Sequence, residues 1–290
     1  MKFSKAYIIY NPKSTGDSPA IAKEFWIQLK KATSDVDIIL QKTNHAGHSE
    51  ELGYSLTKKY TKLLLISVSG DGGYNELVNG VIRAVNEGAE NPICAVLPGG
   101  NANDHHTYIL DRSLMEAIKQ DGLTEIDLLK VEADKTRYAH SYVGLGLTPL
   151  IAIELNKYDL SAIKETWLAL KTFWKFEPFE IEEDGKCRAY DSIIMANIGV
   201  MAKHLTLDGS NSIRDGKFEV VRWRHNKKLQ LVQHLLRALI GRPSKPKSVT
   251  SLSFNTVASI PVQLDGELLK LEANQHVVVS CAPKVLRTYR

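Results

Sequence analysis

The stretch from Leu63 to Gly80 constrains this chain more than any other. Leu63-Leu-Leu-Ile-Ser-Val68 is an apolar, β-prone run of the length of one buried strand. It breaks at Ser69-Gly70-Asp71-Gly72-Gly73, and Asn75-Glu76-Leu77-Val78 then resumes with apolar positions that suit a helix. A strand feeding a glycine loop feeding a helix aims free N–H groups and the positive end of the helix dipole at one spot, which suits phosphate. Glycines let the backbone come close to a ligand and adopt positive φ. Asp71 is out of place in such a loop, since it would repel phosphate, so its expected work is on a metal ion or a proton. A second loop has the same character. Ile93-Cys-Ala-Val-Leu97 reads as another buried strand, and Pro98-Gly-Gly-Asn-Ala-Asn-Asp104 follows it. Two such loops suit opposite walls of a crevice at the carboxyl ends of parallel strands.

The surrounding segments alternate in the same way. Residues 6 to 10 read as a strand ended by Asn11-Pro12-Lys13-Ser14-Thr15-Gly16. Ala20 to Ala32 places Ile21, Phe25 and Leu29 on one helical face, Val36 to Leu40 is a further strand, and Glu50 to Tyr60 a further helix. Strands alternating with helices imply a parallel α/β sheet. The pattern changes around Asp121-Gly122. Thr124 to Val131, Arg137 to Leu147, Arg188 to Ile198, Phe218 to Trp223, Val249 to Asn255, Val262 to Leu264 and Val277 to Ala282 read as strands, several of them divided by Asp-Gly turns. This predicts an antiparallel β domain beginning near residue 125. Helices are expected over Tyr158 to Phe176, with an aromatic and leucine stripe, and over Lys227 to Gly241.

The motifs resemble those of the diacylglycerol kinase catalytic family, which includes bacterial lipid kinases and the sphingosine and ceramide kinases. That family's Gly-Gly-Asp-Gly-Thr-x-Asn-Glu-x-x-Asn-Gly is similar to Ser69–Gly80, its Pro-x-Gly-Thr-x-Asn-Asp to Pro98–Asp104, and its Val-x-x-Asp-Gly-Glu to Val262–Glu267. Asn11–Gly16 resembles its Asn-Pro-x-Ser-Gly, and Thr43 to His48 its Thr-x-x-x-Gly-His. The resemblance implies an α/β nucleotide-binding domain with a parallel sheet, of the NAD kinase and diacylglycerol kinase type, over residues 1–125. A mostly antiparallel β-sandwich for the lipid substrate follows over 126–283, and 284–290 rejoin the first domain. It implies ATP and Mg²⁺ as cofactors and a lipid alcohol, diacylglycerol-like or sphingoid-like, as substrate. Asn11, Pro12, Lys13, Ser14, Thr43, Gly70, Asp71, Gly72, Gly73, Asn75, Glu76, Gly100, Asn101 and Asn103 would then meet the nucleotide. Asp71 and Asp104 would hold a catalytic Mg²⁺. Asp215, with the carbonyls of Ser212 and Lys217, would hold a structural one. Glu267 would accept the proton of the substrate hydroxyl with Asp265 as its partner, although the sphingosine kinases assign the base to the position of Asp71. The chain departs from the family where Gly73 and Asn101 replace two threonines. An NAD kinase-like enzyme, which shares the Gly-Gly-Asp-Gly loop, and a nucleotide- or lipid-binding relic therefore remain as alternatives.

Composition sets the remaining bounds. At 290 residues, 43% hydrophobic and 24% charged, the chain suits one large domain or two ordinary ones. A net charge of +4 gives no indication of nucleic acid. No run approaches the roughly 20 apolar residues of a membrane span, and the short apolar core of the N-terminus is no signal peptide. The expected place is the cytoplasm, with peripheral contact at the inner membrane face. Arg222 to Lys247 has many lysines and arginines and no acidic residue, which suits an anionic bilayer. The separated Cys94, Cys187 and Cys281 read as buried free thiols. His45 and His48 read as polar residues at a helix entry, because a third metal ligand nearby is missing, and of His105 and His106 at most one can point into a site. Oligomeric state is not legible, and a homodimer stays open.

Overall fold

The computed structural model describes residues 2–33, 35–147, 177–201, 205–206, 212–226 and 246–290. The helices expected over Tyr158–Phe176 and Lys227–Gly241 lie outside the described residues, as does most of the basic stretch between Arg222 and Lys247. The described chain divides into two units. The first is 1–128 with 283–290, and the second is 129–282.

The first unit alternates β1 (Lys5–Tyr10), α1 (Ser18–Ala32), β2 (Asp37–Lys42), α2 (His48–Lys59), β3 (Leu63–Ser69), α3 (Asp71–Asn86) and β4 (Ile93–Pro98). Two short helices follow, α4 (Asp104–Ile109) and α5 (Leu114–Lys119). The strands lie in the order β2-β1-β3-β4, all parallel. Every residue of β3 is buried, as a central parallel strand covered on both faces requires. β2 is the edge strand, and its pattern is mostly exposed or half-exposed. It starts one residue and ends two residues later than the sequence suggested. Beyond β4 the chain end adds in parallel, with Arg287 beside Ile93. Arg287 Nη1 donates to the Asn91 carbonyl at 2.8 Å, and the Arg290 N–H donates to the Gly122 carbonyl at 2.9 Å.

Helices α2 and α3 touch backbone to backbone. A Cβ on Gly53 would stand 2.5 Å from the Leu77 carbonyl oxygen, and one on Gly80 would stand 2.1 Å from that of Glu50 and 2.9 Å from the Tyr54 nitrogen. The Asn79-Gly80 pair that ends the central motif therefore serves helix packing. Asn79 Nδ2 donates to the Asn75 carbonyl at 2.9 Å one turn back, and Gly80 admits α2.

The second unit contains β6 (Thr136–Ala139), β7 (Tyr142–Gly146), β8 (Phe179–Glu183), β9 (Lys186–Ala196), β10 (Val200–Met201), β11 (Leu205–Thr206), β12 (Phe218–Arg224), β13 (Lys247–Val249), β14 (Ser251–Thr256), β15 (Ile260–Leu264) and β16 (Glu267–Leu271). It shares β5 (Leu123–Glu132) and β17 (His276–Tyr289) with the first unit. The strands of the second unit pair antiparallel, in the order β16-β15-β7-β9-β8-β14-β17, with β12 against β9 and β13 against β12. Leu271 of β16, Met195 of β9 and Phe254 of β14 belong to one buried cluster. Strands so far apart along the pairing order share a core only where the sheet bends over on itself, as in a sandwich.

Four expectations need correction. The strand read over Arg137–Leu147 is two strands, because the backbone turns at His140-Ser141 to meet Asp265. Val249–Asn255 is divided at Thr250, whose carbonyl accepts the Cys281 N–H at 2.9 Å. β8 and β16 were not foreseen, since the charged residues in their short sequences obscure the apolar positions. Of the three free thiols only Cys94 is buried, whereas Cys187 is exposed and Cys281 intermediate. Cys187 lies beside the Asp184-Gly185 hairpin tip, where the apolar neighbours of β9 no longer cover it. Burial pushes the Cys94 thiol up to about 12.

The α2–α3 contact leads to a direct test. Gly80→Ala should destabilise the protein by about 1–3 kcal/mol, as overpacking does, although alanine is the better helix former. Urea unfolding followed by far-UV circular dichroism measures it, and an unchanged midpoint would contradict the close approach.

Candidate active site

Three loops meet at the carboxyl ends of β1, β3 and β4. The first is 11–17, the second is the β3–α3 junction, and the third is 99–103. They pack by direct backbone contact. The Gly16 N–H donates to the Gly99 carbonyl at 3.0 Å, and the Gly99 N–H donates to the Ser69 carbonyl at 3.0 Å. The Ser14 hydroxyl also donates to the Gly99 carbonyl. A Cβ on Gly16 would lie 2.8 Å from the Gly99 oxygen, one on Gly99 2.8 Å from the Ser69 nitrogen, and one on Gly100 2.3 Å from the Gly70 Cα. Each of these neighbours is backbone and cannot step aside.

The helix begins earlier than the sequence suggested. α3 starts at Asp71 with Gly70 as an extended N-cap, so Gly72 and Gly73 lie in its first turn rather than in a loop. The N–H groups of that turn have no acceptor within the helix and no side-chain cap. The glycines of the motif thus belong to a helix end rather than to a loop.

Asp71 has a role that its sequence position did not reveal. Its Oδ2 accepts the Asp104 N–H at 3.1 Å and its Oδ1 the His105 N–H at 3.1 Å. The first turn of α4 is thus capped from α3. Asp104 is buried at that junction, and His105 is fully buried with its ring 5.4 Å from that of Tyr74. His106 is partly covered, and burial holds its pKa below the ordinary value.

Asn103 closes the third loop. It adopts left-handed φ of 55°, and its side chain pairs with Gly100 on both edges: the Gly100 N–H donates to Oδ1 at 2.9 Å, and Nδ2 donates to the Gly100 carbonyl at 2.8 Å. Asn101 is exposed at the loop tip. Asn11 shapes the first loop, its Oδ1 accepting the Lys13 N–H at 2.9 Å, while Pro12 and Lys13 are exposed. Thr43 is held by its N–H to the Tyr10 carbonyl at 2.9 Å. Two other residues of the motif are occupied within the protein. Asn75 is buried, with Oδ1 accepting from Asn79 Nδ2 at 3.0 Å, and Glu76 accepts the Gly47 N–H at 3.0 Å.

The departure at Gly73 has a physical counterpart. A Cβ there would stand 2.7 Å from Ser69 Oγ and 2.8 Å from Ser69 Cβ. The serine at the family's first glycine fills the space that the family's threonine would need. Its hydroxyl is 2.8 Å from that of Ser67 and donates to the Gly70 carbonyl at 3.0 Å.

In the second unit, Asp265 and Gly266 both have positive φ, 50° and 97°, and join β15 to β16 in a two-residue hairpin with Leu264 opposite Glu267. Asp265 is fully buried. Its carboxylate accepts the N–H groups of His140 at 2.6 Å, Ser141 at 2.9 Å and Tyr142 at 2.9 Å. His140 Nε2 lies 3.4 Å from it, and Asn197 Nδ2 donates to the His140 carbonyl at 3.0 Å. Buried in this way, Asp265 anchors the hairpin that carries half-exposed Glu267. His140, Ser141 and Asn197 were not singled out in the sequence, where the only signal was a polar pair interrupting an apolar strand.

The metal expectations divide. Asp215 is exposed, and its Oδ1 accepts the Lys217 N–H at 3.1 Å around Gly216, with Ser212 exposed beside the turn. The β-turn is present, and no further carboxylate or histidine gathers with it among the described residues. The third residue thought absent near His45 and His48 is Glu51, whose Oε2 lies 3.7 Å from His45 Nε2. Glu51 follows His48 by three residues on the same face of α2. His48 Nδ1 nevertheless accepts the Asn44 N–H at 3.0 Å, which leaves the proton on Nε2 and opposes ligation there.

Comparison with known proteins finds similarity to the same family. The family model described as diacylglycerol kinase catalytic domain matches residues 5–131. A curated relative, "Diacylglycerol kinase" of Staphylococcus saprophyticus, is 24% identical over 287 residues, covering 91% of this chain and 88% of its own. The crystal structure of a diacylglycerol kinase from Bacillus anthracis str. Sterne superposes with a TM-score of 0.74 at 19% identity, covering 100% of this chain and 98% of that one. At that identity the structural likeness concerns the fold.

The exchange between positions 69 and 73 can be tested by swapping them. Gly73→Thr alone should cost about 1–3 kcal/mol of stability through overpacking, and Ser69→Gly with Gly73→Thr should recover most of it. Denaturant midpoints of the two variants decide it. A double variant no better than the single one would show that the two side chains do not compete for that space.

Proposed function

We propose, because residues 5–131 match the family model of the diacylglycerol kinase catalytic domain, that this protein is an ATP- and Mg²⁺-dependent lipid kinase, acting on the hydroxyl of a diacylglycerol-like or sphingoid-like alcohol. The observation that carries this reading is the joined set of glycine loops at the carboxyl ends of β1, β3 and β4, with the uncapped first turn of α3 among them. Phosphoryl transfer asks little covalent chemistry of a protein. It asks for phosphates held in place, charge spread over the transferring group, and an acceptor for the hydroxyl proton.

The first turn of α3 and the 99–103 loop would hold the phosphates, with Lys13 and Thr43 at the edge. Asp71 and Asp104 form an oxygen-only donor pair, the kind Mg²⁺ prefers when it keeps several waters. Bound there, Mg²⁺ would supply charge neutralisation of the triphosphate. The bonds to Asp104 and His105 fix the Asp71 carboxylate in place, so it would act on the ion through water. Asp215 with the Ser212 and Lys217 carbonyls is proposed as a separate structural site. In the transfer itself the lipid hydroxyl oxygen attacks the γ-phosphorus, the bond to the β–γ bridging oxygen breaks, and ADP leaves. Glu267 would take the hydroxyl proton, and Asp265 would position it through the hairpin. A lipid substrate requires access to a bilayer surface. No helix among the described residues is long and apolar enough to cross one, so contact from outside is proposed.

A panel of diacylglycerol, sphingoid base, ceramide and NAD as acceptors, with labelled ATP and Mg²⁺, tests the proposal. Incorporation into a lipid is expected, and it should fall about 10²–10⁴-fold in Glu267→Gln at an unchanged melting temperature, as loss of a general base does. Asp71→Ala should lose both activity and stability, because it also uncaps α4. Label in NAD alone, or in no acceptor, would overturn the lipid kinase reading.

A further inference from the structure

The β-rich unit contains a second polar site that the kinase reading does not use. A cleft with a volume of about 390 Å³ opens among β8, β9, β12, β13 and β14. Arg188, Arg222, Arg224 and Lys247 face two carboxylates there, Glu183 and Asp184. The cations therefore outnumber the acids, and the acids are not equally placed. Asp184 is on the hairpin tip, whereas Glu183 is buried at the base of the cleft.

Glu183 is enclosed by donors. The hydroxyl of fully buried Tyr190 donates to Oε2 at 2.6 Å, Arg188 Nη1 lies 3.3 Å from Oε2, and Arg222 Nη2 lies 3.3 Å from Oε1. Burial pushes the Glu183 carboxyl up, but the Tyr190 hydroxyl and the two guanidinium groups outweigh it and hold the pKa below the ordinary value. Glu183 thus stays ionised and fixes two guanidinium planes from behind. Each guanidinium has five N–H donors, so most remain for another partner. Arg222 Nε is buried with no partner among the described residues. Arg224 and Lys247 have no carboxylate partner among the described residues either. Ser251 and Ser253, two apart on β14, present hydroxyls to the same face.

We propose that this cleft binds a phosphate-bearing anion, through Arg224, Lys247 and the outer edges of Arg188 and Arg222. Arginine forks fixed in orientation match the geometry of phosphate oxygens, and lysine adds a point charge. A doubly charged phosphate monoester balances the excess of cations over acids. The phosphate belongs either to a soluble ion or to the headgroup of an anionic lipid. The cleft consists entirely of residues of the second unit, so the proposal does not depend on the kinase reading.

The full-length protein and the variant Arg224→Gln/Lys247→Gln test it, both substitutions being exposed and outside the Glu183 network. Inorganic phosphate binding is measured by calorimetry. Sedimentation with phosphatidylcholine vesicles, with and without phosphatidic acid, measures the headgroup. Binding of either probe that weakens about tenfold or more in the variant, and weakens with added salt, supports the site. Response to the vesicles alone identifies the source as a lipid headgroup, and response to phosphate identifies the soluble ion. Binding of neither probe, or binding that the variant retains in full, would overturn it. Lipid phosphorylation in detergent should be unchanged in the variant, which separates this result from failure of the kinase reading.

Discussion

The close approach of three loops at one edge of a parallel sheet is the constraint on which the candidate site depends. Gly16, Gly99 and Gly100 lie where any side chain would strike backbone. Flexibility is a secondary matter here, because these residues are needed for distance. Loops this close leave no room for water to satisfy their polar groups, so the groups must pair with one another. Gly16 with Gly99, Gly99 with Ser69, and Asn103 with Gly100 meet that requirement. The first turn of α3, which starts beside these contacts, has no side-chain cap.

Two aspartates that would be assigned to chemistry on sequence grounds serve first as architecture. Asp71 caps the first turn of α4, and Asp265 gathers three successive N–H groups of the β6–β7 turn. In each case a charged acceptor answers several backbone donors at once, which is worth more than a neutral hydrogen bond, about 1.5–3 kcal/mol for each bond made. For Asp265 the gain must exceed the cost of a non-glycine residue in the left-handed region, of order 1–3 kcal/mol. The arrangement has a consequence for chemistry. Each carboxylate is held by two or three backbone donors, so its position is fixed by the chain around it.

What was legible in the sequence was local. The strand, glycine turn and helix from Leu63 to Asn86 follow from apolar spacing and from glycine, and so does the alternation that builds the parallel sheet. The Asp-Gly hairpins at 184–185 and 265–266 were legible for the same reason, because the turn is decided by its own two residues. What failed depended on partners far along the chain. Nothing near His140 says that Asp265, more than a hundred residues later, will take its N–H. Nothing in Gly53 or Gly80 says that each will touch the other helix. β8 and β16 were hidden because FEIEE and ELLKL set only two or three apolar residues among charges, a weaker signal than the run in β3. The Arg188–Glu183–Arg222 network was equally hidden, since its members look like solvated charges until three strands bring them together.

The two lost threonines show how such a substitution should be weighed. Read one position at a time, Gly73 and Asn101 remove two hydroxyls from a nucleotide loop. Read in space, the first loss is coupled to a gain. Ser69 occupies the volume beside Gly73 and keeps a hydroxyl at the start of α3, so the residue types are exchanged while packing and polarity remain. The second loss is at an exposed loop tip where an amide replaces a hydroxyl and can still donate. The packing-matched pair at 69 and 73 and the Asn103 clasp around Asn101 both hold the backbone of their loops in place. At both positions, then, the substitution is weighed by what it does to the shape of the loop, and at both that shape is kept by neighbouring side chains.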